Sequence, residues 1–411
     1  MPRPTITALL RHLIAAALLC ATWTQALAAS QPGPVLRDDE PGSSVLHRAV
    51  CARAVQPGHM HCHAHVVVRA DGKPLPGRAP ATVLAPAGHP AGYGPADLRS
   101  AYRFIWTGSS SSVLAIVDAY GYPGAADDLA TYRSQYGLPA CSVASGCLTV
   151  INQRGGASLP AFDAGWAQEQ ALDLDIASAM CPQCRLLLIE ADDDDGGNLA
   201  AGVALAVARG AIAISNSYGG TEPDTRAYAR TYHQPGIAIT ASAGDSGYGP
   251  EFPASAPYVV AVGGTKLVRD ATTARGWRET VWKYTGSGCS AIYPKPAWQT
   301  DPLCTRRMLN DVAVVAAPAT GVAVYGPLGT GSTSGWMVFG GTSIGAPLIA
   351  GLYAAVNGHP TGARALWLRQ SALNDIVLGE NGTCGGTYFC VGGPGYDGPS
   401  GNGSPDGKSG F

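Results

Sequence analysis

The chain has 411 residues, of which 46% are apolar and only 14% charged, and its formal charge is −2. That suffices for one large α/β domain plus a smaller appendage, and a near-neutral balance with no basic stripe excludes a nucleic-acid partner. The 54 glycines and 31 prolines lie between apolar runs, which excludes a disordered polymer.

Arg3 and Arg11 precede an apolar run over 13–20, and Ala26-Leu27-Ala28 supplies a small-residue cleavage site, so residues 1–28 read as an export signal. The run is too short to span a bilayer, and no later stretch approaches ~20 uninterrupted apolar residues. The protein is therefore expected to be secreted, extracellular or periplasmic, with no membrane attachment once the signal is gone. Residues 29–91 form a short extension, rich in Pro, Gly and Arg, with one strand-like stretch over 59–69. In it His59, His61, His63 and His65 alternate, so a strand would put four imidazoles on one face. That pattern suits a zinc or copper site, or is a fortuitous run in an exported tail.

From Gly92 the character changes. A β-branched run over 112–117 ends at Asp118, residues 171–180 have helical spacing, and 185–189 is again strand-like. The acids Asp192 to Asp195 precede an Ala-rich helix over 199–208, which Gly210 closes as a C-cap. These acids could hold a cation, or simply sit in solvent where the helix dipole favours them. Short buried strands follow over 211–214, 237–240 and 258–262. Strands alternating with helices predict a mainly parallel sheet covered on both faces, with functional residues at the carboxyl ends of its strands.

Eleven cysteines are present, and Cys20 leaves with the signal. The other ten fall in local couples: Cys51/Cys62, Cys141/Cys147, Cys181/Cys184, Cys289/Cys304 and Cys384/Cys390. In an exported chain this suggests five short-loop disulfides that pin surface loops. Cys181-Pro-Gln-Cys184 alternatively reads as a redox or zinc motif.

The string Gly340-Gly-Thr-Ser343-Ile-Gly-Ala-Pro347 leads into an apolar run over 348–356. Small residues let the backbone turn sharply and leave Ser343 Oγ free, while the following helix aims its N-terminal amides at it. The bland alternative is a capping loop. An α/β-hydrolase triad needs the order Ser, acid, His, but the one histidine after Ser343 is His359 and no acid lies between. A subtilisin-type triad from Asp118 would have to use His233, the one histidine between Asp118 and Ser343, and no His-Gly helix start is present. The serine therefore needs another activator.

Glu169 and Asp173 are four residues apart, hence on one helical face. They form either a solvated acidic face or a pair that shares a proton and can serve as a general base. Asp245, in Ala241-Ser-Ala-Gly-Asp-Ser-Gly247, caps a turn or, when protonated, donates to an oxyanion.

Together these residues resemble the sedolisin family of serine-carboxyl peptidases. The resemblance runs from Gly92 to about Asp406, on Ala115-Ile-Val-Asp-Ala-Tyr-Gly121, Glu169-x-x-Leu-Asp173, Ile214-Ser-Asn-Ser-Tyr-Gly219, Ala243-Gly-Asp-Ser-Gly247, Phe252-Pro-Ala-Ser-Ala-Pro-Tyr-Val259 and Gly340-Gly-Thr-Ser343. It implies Ser343 as nucleophile, Glu169 as base, Asp173 as its orienting partner, and Asp245 as oxyanion donor. It implies an α/β, subtilisin-like parallel sheet flanked by helices, the peptidase domain filling 92–411, and Ser217, Tyr218 and Gly219 forming part of the peptide-binding wall. The cysteines look like those of a disulfide-bearing bacterial branch. The family's C-terminal calcium loop would be Asp375, Ile376, Gly393, Gly395 and Asp397, an oxygen-only set for one structural calcium ion. The expected partners are protein or peptide substrates, and the expected state is a monomer active in acid. Sedolisins usually carry a large folded propeptide; residues 29–91 are much shorter, which leaves open whether they are removed. The alternative function is a secreted binding protein on a peptidase scaffold without turnover.

Overall fold

The computed structural model describes residues 33–38, 45–54, 56–75, 89–105, 111–222, 227–329, 331, 333–356 and 362–411; the signal segment expected over 1–28 lies outside them. The extension contributes four short strands: β1 (Leu36–Arg37), β2 (Leu46–Ala49), β3 (His61–Cys62) and β4 (His65–Val68). The single strand expected over 59–69 is thus broken at His63–Ala64. The physical reason is that its two halves pair with different partners, as described below.

After α1 (Pro95–Ala101), aliphatic runs alternate with helices. In chain order these are β5 (Val113–Ala119), α2 (Ala125–Gln135), β6 (Leu148–Asn152), α3 (Ala164–Met180), β7 (Arg185–Ala191), α4 (Gly196–Ala208), β8 (Ala213–Asn216), β9 (Tyr218–Gly219), β10 (Ala238–Ser242), β11 (Val260–Arg269) and β12 (Trp277–Val281). The pair β13 (Gly288–Pro294) and β14 (Arg306–Leu309) precedes β15 (Val312–Val315). The main sheet has the order β12-β11-β10-β8-β5-β7-β6, with β15 also on β11. Every pairing in it is parallel except β11 with β12. This is the parallel, helix-flanked α/β sheet the sequence predicted.

Successive side chains of β5 point to opposite faces. Val117 meets α4, where a Cβ on Gly202 would stand 2.7 Å from Val117 Cγ1. Asp118, its neighbour, faces α3 and the carboxylate of Asp173. The two helices therefore cover opposite faces. α3 begins seven residues before the predicted 171–180 because Asp163 caps it, accepting from the amides of Gly165 and Trp166. It is buried from Gly165 to its end, against α5 (Gly345–Val356).

A second, antiparallel sheet joins the extension to the body. β16 (Val322–Pro327) pairs with β17 (Ser334–Gly340), and the order is β1-β2-β4-β17-β16. α6 (Ala363–Leu368) and the small pair β18 (Leu373–Asn374) and β19 (Ser404–Pro405) complete the C-terminal part. All five expected disulfides are formed; Cys181–Cys184 is among them, so neither sulfur is free to bind zinc, and both residues are buried.

Candidate active site

β17 delivers Gly340 and Gly341 to a tight turn over Thr342–Ile344, which runs directly into α5. Gly341 has φ 98°, and a Cβ there would stand 2.1 Å from the carbonyl oxygen of His63 and 2.5 Å from Asp245 Oδ2. Position and conformation both demand glycine. Ser343 is fully buried at the turn; its Oγ donates to the Ser217 carbonyl at 3.3 Å, and its amide donates to the His63 carbonyl at 3.1 Å.

α3 brings Glu169 and Asp173 to the same place, and both are 0% exposed. A solvated acidic face is thereby ruled out. Asp173 accepts from Ser217 Oγ at 2.7 Å and 2.9 Å and from Ser215 Oγ at 3.2 Å. Burial pushes Asp173 up to about 8 against those hydrogen bonds. Glu169 is also held well above the ordinary carboxylate range, first by burial and then by the charges of Asp173 and Asp118, while the adjacent Ser343 hydroxyl favours its ionised form. Asp118 and Glu190 extend this set of proton-holding carboxyls: burial raises both, Glu190 to about 7, and Asp118 feels the charges of Asp173 and Glu190 as well. Sequence reasoning dropped Asp118 with the histidine triad. Its place at a strand end was the signal that could have kept it.

Asp245 follows β10. Its Oδ1 accepts from the Thr342 amide at 2.8 Å and from Thr342 Oγ1 at 2.7 Å. Its Oδ2 is buried and makes no hydrogen bond among the described residues; His65 Nε2 stands 3.6 Å from it, and it shares with the His63 carbonyl oxygen the space a Cβ on Gly341 would need. Burial pushes this carboxyl up to about 7, against the lowering influence of His63 and Thr342. The expected wall residues Ser217, Tyr218 and Gly219 are buried here, β9 pairing antiparallel with β3.

The histidines do not share one face. His59 binds Asp194 at 2.6 Å, His63 binds Ser242 Oγ at 2.7 Å and Glu251 Oε2 at 2.9 Å, and His65 meets His47 at 2.9 Å. Ligand atoms of His61, His63 and Glu251 lie within 4.8 Å of one another, but His63 already engages both ring nitrogens. The acidic run is individually partnered: Asp192 with Arg154, Asp193 with Asn198, Asp194 with His59, and Asp195 as the N-cap of α4. His233 stacks on Tyr258, with ring centroids 3.4 Å apart.

In the C-terminal loop Asp397 Oδ2 accepts from the Gly393 amide at 2.9 Å and Asp375 Oδ2 from the Gly395 amide at 3.0 Å. Ser400 Oγ donates to Asp397 at 2.8 Å and to the Ile376 carbonyl at 3.4 Å. Burial, and to a smaller extent the charge of Asp375, pushes Asp397 up to about 7. Two carboxylates and a carbonyl thus gather on one loop, a donor set that fits a hard cation.

A parallel α/β sheet that carries a buried serine beside helix-borne carboxyls is the architecture of the serine-carboxyl class. Comparison with known proteins agrees, and this chain belongs to the sedolisin family. It is 33% identical over 362 residues to kumamolisin of Bacillus sp. (strain MN-32), an alignment covering 77% of the chain and 63% of kumamolisin. To sedolisin of Pseudomonas sp. (strain 101) it is 31% identical over 229 residues, 47% of the chain and 37% of that protein. The chain thus spans less than two thirds of either relative. The solved structure of Pseudomonas sedolisin, a serine-carboxyl proteinase in complex with pseudo-iodotyrostatin, matches 77% of the chain and 95% of its own with a TM-score of 0.65 at 26% identity. No protein-family model matches the chain.

Proposed function

We propose that the chain is a secreted serine-carboxyl peptidase that hydrolyses peptide bonds of protein substrates in acid. Ser343 Oγ attacks the carbonyl carbon and Glu169 takes its proton, with Asp173 and its serine partners Ser215 and Ser217 fixing the base. Protonated Asp245 and the Ser343 amide stabilise the oxyanion, and water then releases the acyl group. The observation that carries this reading is that the Ser343 amide donates to a carbonyl oxygen, that of His63, which with Asp245 Oδ2 crowds the same side of Gly341, next to the serine. The carboxyl set supports acid operation. Asp245 donates only while protonated, so turnover falls as pH rises through its value of about 7. Water entering the cleft lessens the desolvation that holds Glu169 protonated, which frees it as base.

Ser343→Ala abolishes cleavage of denatured protein in acid, and Glu169→Gln lowers it by about 10²–10⁴-fold, with folding unchanged by circular dichroism. Wild-type turnover in either variant, or an alkaline optimum, rejects the assignment. The second reading, a binding protein on this scaffold, draws support from the complete burial of Ser343. Labelling of Ser343 by a peptide aldehyde in acid separates the two. The oxygen set of Asp375, Ile376 and Asp397, with the Gly393–Gly395 turn, supports one structural calcium ion, which when bound would offset the paired carboxylates and fix the loop.

A further inference from the structure

Of the four alternating histidines in the extension, the middle two meet. His61 and His63 flank Cys62 where the strand breaks, with ring centroids 5.1 Å apart and ring planes at 77°. Glu251, from the loop after β10, closes the set: its Oε2 is 2.9 Å from His63 Nε2 and 3.8 Å from His61 Nε2. One ligand atom from each of the three lies within 4.8 Å of the others. The hydrogen bond that occupies His63 Nε2 is made to Glu251, a member of the set, so a cation can replace it without stranding either group. A tetrahedral ion with bonds of about 2.0–2.1 Å holds its ligand atoms about 3.3 Å apart. Movements of about half an ångström bring the 2.9 Å and 3.8 Å spacings to that value.

The surroundings hold these groups as a metal site holds its ligands. Ser242 Oγ is bonded to His63 Nδ1 at 2.7 Å, which fixes the ring and turns Nε2 toward Glu251. The Cys51–Cys62 disulfide, and the pairing of His61 and Cys62 with Gly219 and Tyr218, fix the backbone between the two imidazoles. Gly219 keeps the middle of the set open, since a Cβ there would stand 2.7 Å from Glu251 Oε2 and 2.9 Å from His63 Nε2. His61 Nδ1 is buried and makes no hydrogen bond among the described residues. Beside the set lies a cavity of about 370 Å³, lined in part by Arg53, His59, His61, Tyr248 and Glu251, which gives an ion a way in and leaves room for water as a fourth ligand. Arg53 at its edge is exposed, so solvent screens that charge.

We propose that His61, His63 and Glu251 form a zinc site, with water in the fourth position, that ties the extension to the body of the chain. Two imidazoles and one carboxylate suit Zn2+ better than Ca2+ or Mg2+, which take oxygen ligands. Two of the ligands come from the extension and the third from 188 positions away, so an ion held by all three is a cross-link between them. The site is distinct from the C-terminal carboxylate loop, and it does not depend on turnover at Ser343.

The test uses the full chain as its Ser343→Ala variant, to keep it whole, stripped with a chelator and titrated with Zn2+ at about pH 7.5, where few protons compete. Excess Ca2+ is present to fill oxygen-only sites. One equivalent of zinc should bind. Adding His61→Ala or Glu251→Gln should weaken binding by about 10²-fold or more, and Ser242→Ala by about tenfold, because the ring it orients is then loose. His59→Ala, outside the set, should leave binding unchanged. Co2+ in place of Zn2+ should give the intense visible absorption of a four-coordinate ion, lost with His61→Ala. Zinc should also raise the thermal midpoint by several degrees, and not when His61→Ala is present; this readout stands even if Glu251→Gln folds poorly. No stoichiometric binding, binding that survives His61→Ala and Glu251→Gln, or binding that His59→Ala weakens as much, as a fortuitous histidine run would show, overturns the inference. Each of those results leaves the peptidase reading standing.

Discussion

At the scale of residues, the site works by burying acids where water would otherwise ionise them. Asp245 is the clearest case, because the role proposed for it follows from its proton. As pH rises through about 7 the carboxyl ionises, and in the proposed mechanism a donor becomes an acceptor that would repel the oxyanion. Asp245→Asn keeps an amide donor that cannot ionise. The variant is therefore expected to retain a reduced activity whose decline toward neutral pH is shifted upward or absent, measured as kcat/KM against pH. A decline coinciding with that of the wild type would assign the titration to another group. Glu169 and Asp173 were legible from their four-residue spacing, but spacing alone could not separate a proton-sharing pair from a wet face. Burial decided it.

At the scale of elements, each piece of the site sits at the end of a regular element. α3 presents its carboxyls because Asp163 caps it and its whole length is buried. β17 ends in two glycines that let the chain turn into α5. In the C-terminal loop Asp397 is buried and its carboxyl is raised to about 7, by burial first and least by the charge of Asp375, a situation that protons or a cation would offset. If calcium fills that role, chelation lowers the thermal midpoint of the wild type by several degrees, and Asp397→Asn lowers it similarly while removing the dependence on added calcium. Scanning fluorimetry with and without calcium checks this. A midpoint indifferent to calcium in the wild type would exclude the ion.

At the scale of the whole molecule, the buried acids set how stability varies with pH. Asp118, Glu169, Asp173, Asp175, Glu190 and Asp245 all have values raised by burial, and His63 is raised by Glu251. In the range between their unfolded and folded values the native state binds more protons, so stability falls as pH rises. His61 and His65, lowered first by burial, act the other way below the ordinary histidine value, but they are outnumbered. Glu251 is lowered, so its contribution is lost only as pH falls toward about 2. The urea midpoint of Ser343→Ala, which cannot digest itself, should therefore be higher at about pH 5 than at about pH 8. A midpoint that rises over that interval contradicts the burial of the acids.

The sequence by itself determined the alternation of strands and helices, the glycine turn at Ser343, the local cysteine couples and the spaced acids, because each is a short-range pattern of a few residues. It could not determine what lies across the cleft. That Asp118 joins Asp173, that Glu251 meets His63 from 188 positions away, and that a strand-like stretch over 59–69 breaks to thread past the serine were all decided by tertiary structure. The physical reason is that pairing partners and burial, not local propensity, set where an extended segment bends and which carboxyl keeps its proton.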